Sequence, residues 1–481
     1  MQPNDTSIIR LQFPNSISQI SAVSFKGHAA KLLGSSSNAN RAIFRWHPYC
    51  CGDMGQRLNR YSFSILGYWA IATVAWFRLY DRMYPVEFRT FYLAGHDLLA
   101  NASPFPQVGS RAILEGHAYV YPLYAAWFSA GFALIPFHQA TIAWRVMGLI
   151  AIAGCGVILG GTRGLTVAGL TLLSTPIATA IQVGSVEPFL ALGIAICYRL
   201  KNRPILGGMA LGLVAVVKLF LAPVLLWPLF AKRKALFATA LASSVILFYA
   251  GVGFDPGLEN YLKILHRLST LESPQGWALT RLWLALGFSL LTSELLVVVT
   301  GIGLILGLRA IGSTRANEKY LYSGLVLVCL VVSPITWWHY LALGIVPLLL
   351  VRPRKATVVA LLLTSWIFEV PDLIRPISSL EDLAILALVG ALWIFGKNFK
   401  HSEPRAAKTP ISYKPIDIAT LWEQPWVGVA AATTSVVGIL GLWVSVLHPN
   451  VANAAATQLA LGLAITFIVA NATRGLNLTQ D

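Results

Sequence analysis

From residue 61 to the C-terminus, long apolar runs alternate with short polar links. Each run approaches the roughly 20 residues an α-helix needs to cross a hydrocarbon core. The first, "YSFSILGYWAIATVAWFRLY", covers residues 61–80 and is read as a retained helix. Further runs fall between 81 and 198, at 204–230, 235–253 and 281–309, from about Lys319 out to "SPITWWHY" and back to "RPRK" as two spans, at 356–370 and 381–397, with a final pair at 426–446 and 454–472. This pattern predicts an all-α polytopic membrane protein. One stretch has a different period: in Phe88–Ala100, Phe88, Phe91, Tyr92, Gly95, Leu98 and Leu99 share one side, while Arg89, Thr90, His96 and Asp97 share the other. That spacing predicts an amphipathic helix lying at the membrane surface.

Composition strengthens the membrane reading. Hydrophobic residues make up 56% of the 481 positions and charged residues 12%, and the mean hydropathy is +0.66. A net charge of +16 would point to nucleic acid in a soluble chain. Here the basic residues cluster in the links, where they report orientation, and no nucleic-acid partner is expected. The first sixty residues carry seven Lys and Arg against two acids and precede the first run by too much chain for a cleaved signal peptide. Cys50, Cys51, Cys155, Cys197 and Cys329 show no metal-ligand spacing.

Basic clusters mark one side, taken as cytoplasmic: the tail, "RLKNR" at 199–203, "AKRK" at 231–234, "RPRK" at 352–355 and the stretch Lys397–Lys414. Five apolar runs between 61 and 198 are an odd number where these marks require an even one, so one run fails to cross. The stretch 204–230 has basic clusters at both ends and is read as a hairpin broken near Lys218 and Pro223. Broken helices at membrane depth occur where protein or a water-filled cavity satisfies the backbone. Four regions follow: a basic cytoplasmic tail, 1–60; a transmembrane bundle, 61–397; a basic linker, 398–424; and an accessory hairpin, 425–481. Both termini are expected on the cytoplasmic side.

Charges in or beside membrane spans cost roughly 2.5–3.5 kcal/mol at a helix centre, so each is a candidate for function. Glu87 is delivered by the first helix to the external face. There it either caps the amphipathic helix or acts chemically. "QVGSVEPF", Gln182–Phe189, is either a polar turn or part of a site. His339 in "SPITWWHY" falls on the same face as Glu87, though a His between aromatic residues is also a common interface anchor. Lys218 lies about ten residues from the nearest polar boundary, too far for ordinary snorkelling. It is read as a charge with no structural partner, available to a phosphate. Arg281 and Gln275, in the polar loop 254–280, could serve the same cavity.

In order along the chain, these segments resemble glycosyltransferase family 87, integral-membrane enzymes of GT-C type that include polyprenyl-phosphomannose-dependent alpha-mannosyltransferases. The matching stretches are "EFRTFYLAG", "NASPFP", "YVYPLYAAW", "GSVEPFLAL", "KLFLAP", "SPQGWALTR" and "SPITWWHY", spread over residues 80–350. Family members usually carry Asp where this chain has Glu87, Gln and Asn at Ser185 and Glu187, and a second Pro at Leu123.

The resemblance implies a GT-C-type helical bundle with interfacial helices in the first external loop. It implies transfer of a hexose, mannose above all, from a polyprenyl-phosphate donor to a glycolipid or glycan hydroxyl on the external face, with inversion. Glu87 and His339 are the expected catalytic residues. Lys218, Arg281, Gln275, Tyr92, Tyr121, Ser185 and Glu187 are the expected substrate contacts. No cofactor is expected, and no metal, because a lone acid makes no metal site. The alternatives are a lipid-linked sugar translocase or transporter, and an inactive family member. The unmatched broken elements and one-sided polar residues favour an enzyme over a carrier.

Overall fold

The structure, a computed structural model, describes residues 85–351 apart from 116–117, 173 and 312–316, together with Trp69 and scattered positions of 454–468. The chain divides into Met1–Arg60 and Tyr61–Asp481. The tail, the run 61–80 apart from Trp69, the linker 398–424 and the runs at 356–370, 381–397 and 426–446 lie outside the described residues. Every regular element within them is helical, as the apolar pattern predicts for an all-α polytopic membrane protein. Among the described residues, three helices are long and apolar enough to cross a membrane, or four if one sharply bent pair counts as a span.

α1 (Val86–Leu99) is the expected amphipathic helix and is not among the spanning candidates. It buries Phe88, Phe91, Ala94 and Gly95, with Phe88 and Phe91 lying 5.0 and 5.4 Å from the Trp144 ring. Leu99, expected on that face, is exposed because the helix ends there. After a one-turn α2 (Arg111–Leu114), α3 (Leu123–Ala133) packs beside α1 so closely that a side chain on Gly95 would strike the Ser129 backbone.

α4 (Phe137–Thr171) is the first spanning candidate. It turns back at Gly161, whose φ of 58° suits glycine, and Gly156 and Gly164 then meet backbone to backbone. α5 (Thr175–Gln182) and α6 (Glu187–Arg199) follow, bent by 114°. Eight residues of α5 span only about 12 Å, so it cannot cross alone.

α7 (Pro204–Val217) stops at Lys218, whose backbone is extended. A 3-10 turn, Leu219–Leu225, contains Pro223 and leads into α8 (Leu226–Phe230). The ends of this segment meet, since Arg233 Nη1 donates to the Lys201 carbonyl at 3.1 Å. The stretch is therefore a hairpin broken at Lys218, as its basic ends imply.

α9 (Lys234–Val252) leads to α10 (Leu258–Glu272). The latter is an amphipathic helix, burying Tyr261, Ile264 and Leu268, within what reads as a polar loop. α11 (Leu279–Ala285) precedes α12 (Leu290–Ile311), another spanning candidate. α13 (Glu318–Val332) is the central helix, buried without interruption from Leu321 to Val331. A break leads to the 3-10 turn Trp338–Gly344 and α14 (Ile345–Val351).

Candidate active site

Three breaks in helix converge: the start of α1, the elbow between α5 and α6, and the turn after α13. The N–H groups of Glu87 and Phe88 both donate to the Val183 carbonyl, at 3.0 and 3.1 Å. This ties α1 to the elbow. Next to Val183, Gly184 has φ 69°, and a Cβ there would collide with Phe88. Only glycine meets both demands.

His339 is held by the end of α10. Trp277 N donates to the Thr336 carbonyl at 2.6 Å, Ser273 Oγ to the Pro334 carbonyl at 3.1 Å, and Trp337 Nε1 to Glu272 Oε2 at 3.2 Å. His339 Nε2 thereby comes within 2.5 Å of Glu87 Oε1. The contact is an ion pair when the imidazole carries a proton. Burial pushes the Glu87 carboxyl up, but the charges of His339 and then Lys218 outweigh it and hold the group at about 2.

Lys218, at the hairpin break, forms an ion pair with Glu187, the first residue of α6. Glu187 is wholly buried and Lys218 7% exposed. Desolvating each ion costs several kcal/mol unless it is paired, so the two require each other. The ammonium also sits 3.7 Å from the Tyr340 ring centre and 5.7 Å from that of Tyr121, a cation–π arrangement. Phe220 stacks on Tyr340 at 5.4 Å and fixes that ring.

The structure therefore brings Glu87, His339, Lys218, Glu187 and Tyr121 together and corrects two expectations. Lys218 has a structural partner. Glu87 is not a lone acid: ligand atoms of Glu87, Glu187 and His339 lie within 4.8 Å of one another, close enough to hold a divalent cation. The argument against a metal from a single acid does not stand. The Lys218 ammonium already occupies Glu187, so a metal would have to displace it.

The set is not saturated. Glu87 Oε2, Glu187 Oε2 and Ser185 Oγ are buried without a hydrogen-bond partner among the described residues, and so are both polar atoms of the Gln182 side chain. Such atoms cost about 1–3 kcal/mol each.

The remaining expected contacts have other engagements. The Tyr92 hydroxyl donates to the Ile135 carbonyl at 2.9 Å, and its ring packs against His96 and Phe137. Gln275 is exposed and donates to Leu271 O, while Arg281 Nη1 holds the carbonyls of Gln275 and Gly276 at 3.0 and 3.2 Å. None of these bonds carries a side chain to Glu87 or Lys218. Arg281 shapes the loop that supports His339. Gln458, from the last apolar run, donates to Trp277 O in the same loop at 3.0 Å. Tyr340 and Gln182 were not among the expected substrate contacts, although Gln182 opens "QVGSVEPF" and Tyr340 closes "SPITWWHY", two of the stretches read as candidates.

Residues 119–334 match the model of Glycosyltransferase family 87. No match was found among curated proteins. Among solved structures the chain is similar to ArnT from Cupriavidus metallidurans bound to undecaprenyl phosphate. The identity is 17%, covering 86% of this chain and 78% of that one, with a TM-score of 0.39. The matched segment is similar to the family that the chain's own motifs resemble, and the match supports a membrane glycosyltransferase. The segment includes Tyr121, the elbow and Lys218; Glu87 and His339 fall outside it and join it through the fold.

Proposed function

We propose that this chain transfers a hexose, mannose by the family resemblance, from a polyprenyl-phosphate donor to a glycolipid or glycan hydroxyl, inverting the anomeric centre. The observation that carries this reading is a contact pair. A carboxylate with one free buried oxygen, Glu87, adjoins a buried ammonium, Lys218, which is ion-paired with Glu187.

Glu87 takes the proton of the acceptor hydroxyl. The acceptor oxygen attacks the anomeric carbon from the face opposite the phosphate, and the bond from that carbon to the phosphate oxygen breaks. The lipid monophosphate leaves with the bonding pair, its charge met by Lys218. Glu187 keeps the ammonium charged and aimed until the phosphate arrives, then yields it. His339 orients the acceptor or contacts the phosphate. A monophosphate leaving group needs one cationic partner, and Lys218 supplies it without a divalent ion.

The sidedness of the basic clusters supports an external site in a bacterial cytoplasmic membrane, with both termini inside and 425–481 as an accessory hairpin. The test is purified full-length protein in lipid, given radiolabelled polyprenyl-phosphomannose and a glycolipid acceptor, with and without EDTA. Label should move to the acceptor in both conditions. Label that remains on the donor overturns the reading, and intact donor crossing the bilayer would replace it with a carrier.

A further inference from the structure

The elbow holds polar groups that this mechanism does not use. Gln182, the last residue of α5, is 0% exposed, and neither its amide nitrogen nor its amide oxygen has a hydrogen-bond partner among the described residues. Thr179 Oγ1, one turn earlier, and Ser185 Oγ, across the bend, are buried and equally unpartnered. The backbone around them is held by hydrogen bonds of its own. Arg145 Nη2 donates to the Gln182 carbonyl at 2.9 Å, Val183 N to Thr179 O at 2.9 Å and Ser185 N to Ala180 O at 2.8 Å. A bend that only had to pack would be more stable with apolar side chains at these positions. Fixed backbone and unmet side chains together describe a site prepared for a ligand.

Position and chemistry identify the ligand. One arm of the elbow holds the start of α1 through Val183, beside Glu87; the other begins at Glu187, which holds Lys218. A sugar passing from a phosphate at Lys218 to a hydroxyl activated by Glu87 lies along this bend. An amide and two hydroxyls carry no charge, and each can both donate and accept. That complements the hydroxyls of a sugar ring and suits neither a phosphate nor a prenyl chain.

Building on the donor class proposed above, we infer that Gln182, with Thr179 and Ser185, forms a neutral subsite that binds the hydroxyls of the transferred hexose and selects which hexose is accepted. The test compares full-length wild type and Gln182→Leu in nanodiscs, measuring melting temperature and the binding of undecaprenyl phosphate and undecaprenyl-phosphomannose. Gln182→Leu should leave undecaprenyl phosphate affinity within about twofold and weaken the mannosylated lipid by about tenfold. It should also raise the melting temperature of the unliganded protein, because it removes two unmet polar atoms. Gln182→Asn, which keeps the amide on a shorter arm, should retain part of the preference. Equal preference for the mannosylated lipid in wild type and Gln182→Leu would overturn the subsite, as would a lower melting temperature with both lipids lost. Failure of the wild type to bind either lipid would overturn the donor class itself, and the subsite with it.

Discussion

Two ion clusters stand at opposite ends of α6. One is the site at Glu187. The other lies just past Arg199, where Glu318, the first residue of α13, meets Lys201 and Arg233. Thirteen residues separate them, roughly 20 Å along the helix axis. In the second cluster, Glu318 Oε1 accepts from Arg233 Nε at 2.6 Å, and Oε2 accepts from Lys201 Nζ and Arg233 Nη2, both at 3.0 Å. Arg233 Nη1 adds the Lys201 carbonyl and Asn202 Oδ1, each at 3.1 Å. Both oxygens of that carboxylate are satisfied, and its cations remain about a quarter exposed, at 24% and 23%. The site cluster is drier, yet it leaves carboxylate, hydroxyl and amide atoms unmet. A saturated cluster can only hold, and this one clasps the turns before α7 and α9 to the start of α13. An unsaturated cluster keeps bonding capacity for a ligand. The predictions that follow probe that division.

The largest effect is expected at Lys218. Lys218→Met strands Glu187 as a buried charge and should cost about 3–5 kcal/mol of stability. Lys218→Met combined with Glu187→Gln should recover most of that while donor affinity stays low. Denaturant melts in detergent and lipid-binding measurements separate the two effects. Equal stability of the single and double variants would show that the pair carries no structural weight. Titration of the single variant with Mn²⁺ or Zn²⁺ is a second check. Without the ammonium, two carboxylates and an imidazole within 4.8 Å should bind such an ion more tightly than they do in wild type.

Next come two carboxylates with opposite expectations. Glu87→Gln removes proton acceptance and should lower transfer per folded molecule by about 100-fold or more. Glu318→Gln should leave transfer per folded molecule intact and cost about 2 kcal/mol. That is less than for a fully buried pair, because solvent shares its cations. Measuring turnover and unfolding on both variants tests the division directly: a Glu318→Gln enzyme that is stable but inactive would erase it.

The sequence exposed what charge makes conspicuous. Glu87, Lys218 and His339 interrupt apolar runs, and an ion at membrane depth is costly enough to be noticed wherever it falls. Basic residues at both ends of 204–230 gave away the hairpin for the same reason. Pairings were hidden, because Lys218 and Glu187 are 31 positions apart and Glu318 is 117 from Lys201. No periodicity links such residues. The bonds of Arg281 to the carbonyls of its own loop were equally hidden, because nothing in the sequence of a polar loop shows how the fold turns a guanidinium. Gln182 opens the stretch that reads as either a polar turn or part of a site, and its tertiary burial without a partner is what sets it apart.

The smallest expected effect is one of pH, and it sharpens the contrast between a carboxylate that is clamped and one that is poised. Glu87 titrates at about 2 in the folded protein, below the ordinary value of 4.5. Its ionised form is therefore favoured by folding. The resulting stability is fully present above about 4.5 and is lost as the pH falls through 2. Between pH 5 and 8 neither stability nor transfer should vary on account of Glu87. Burial acts in the other direction and is offset by His339 and Lys218. His339→Gln removes the larger of these two opposing charges, so the Glu87 titration should move upward, toward or beyond the range where glutamates usually ionise. The acid limb of kcat/KM should then move to higher pH, by less than burial alone would give because Lys218 remains. An unchanged profile in His339→Gln would mean that the charge contact between His339 and Glu87 does not set the ionisation of the base, and that His339 acts on the substrate alone.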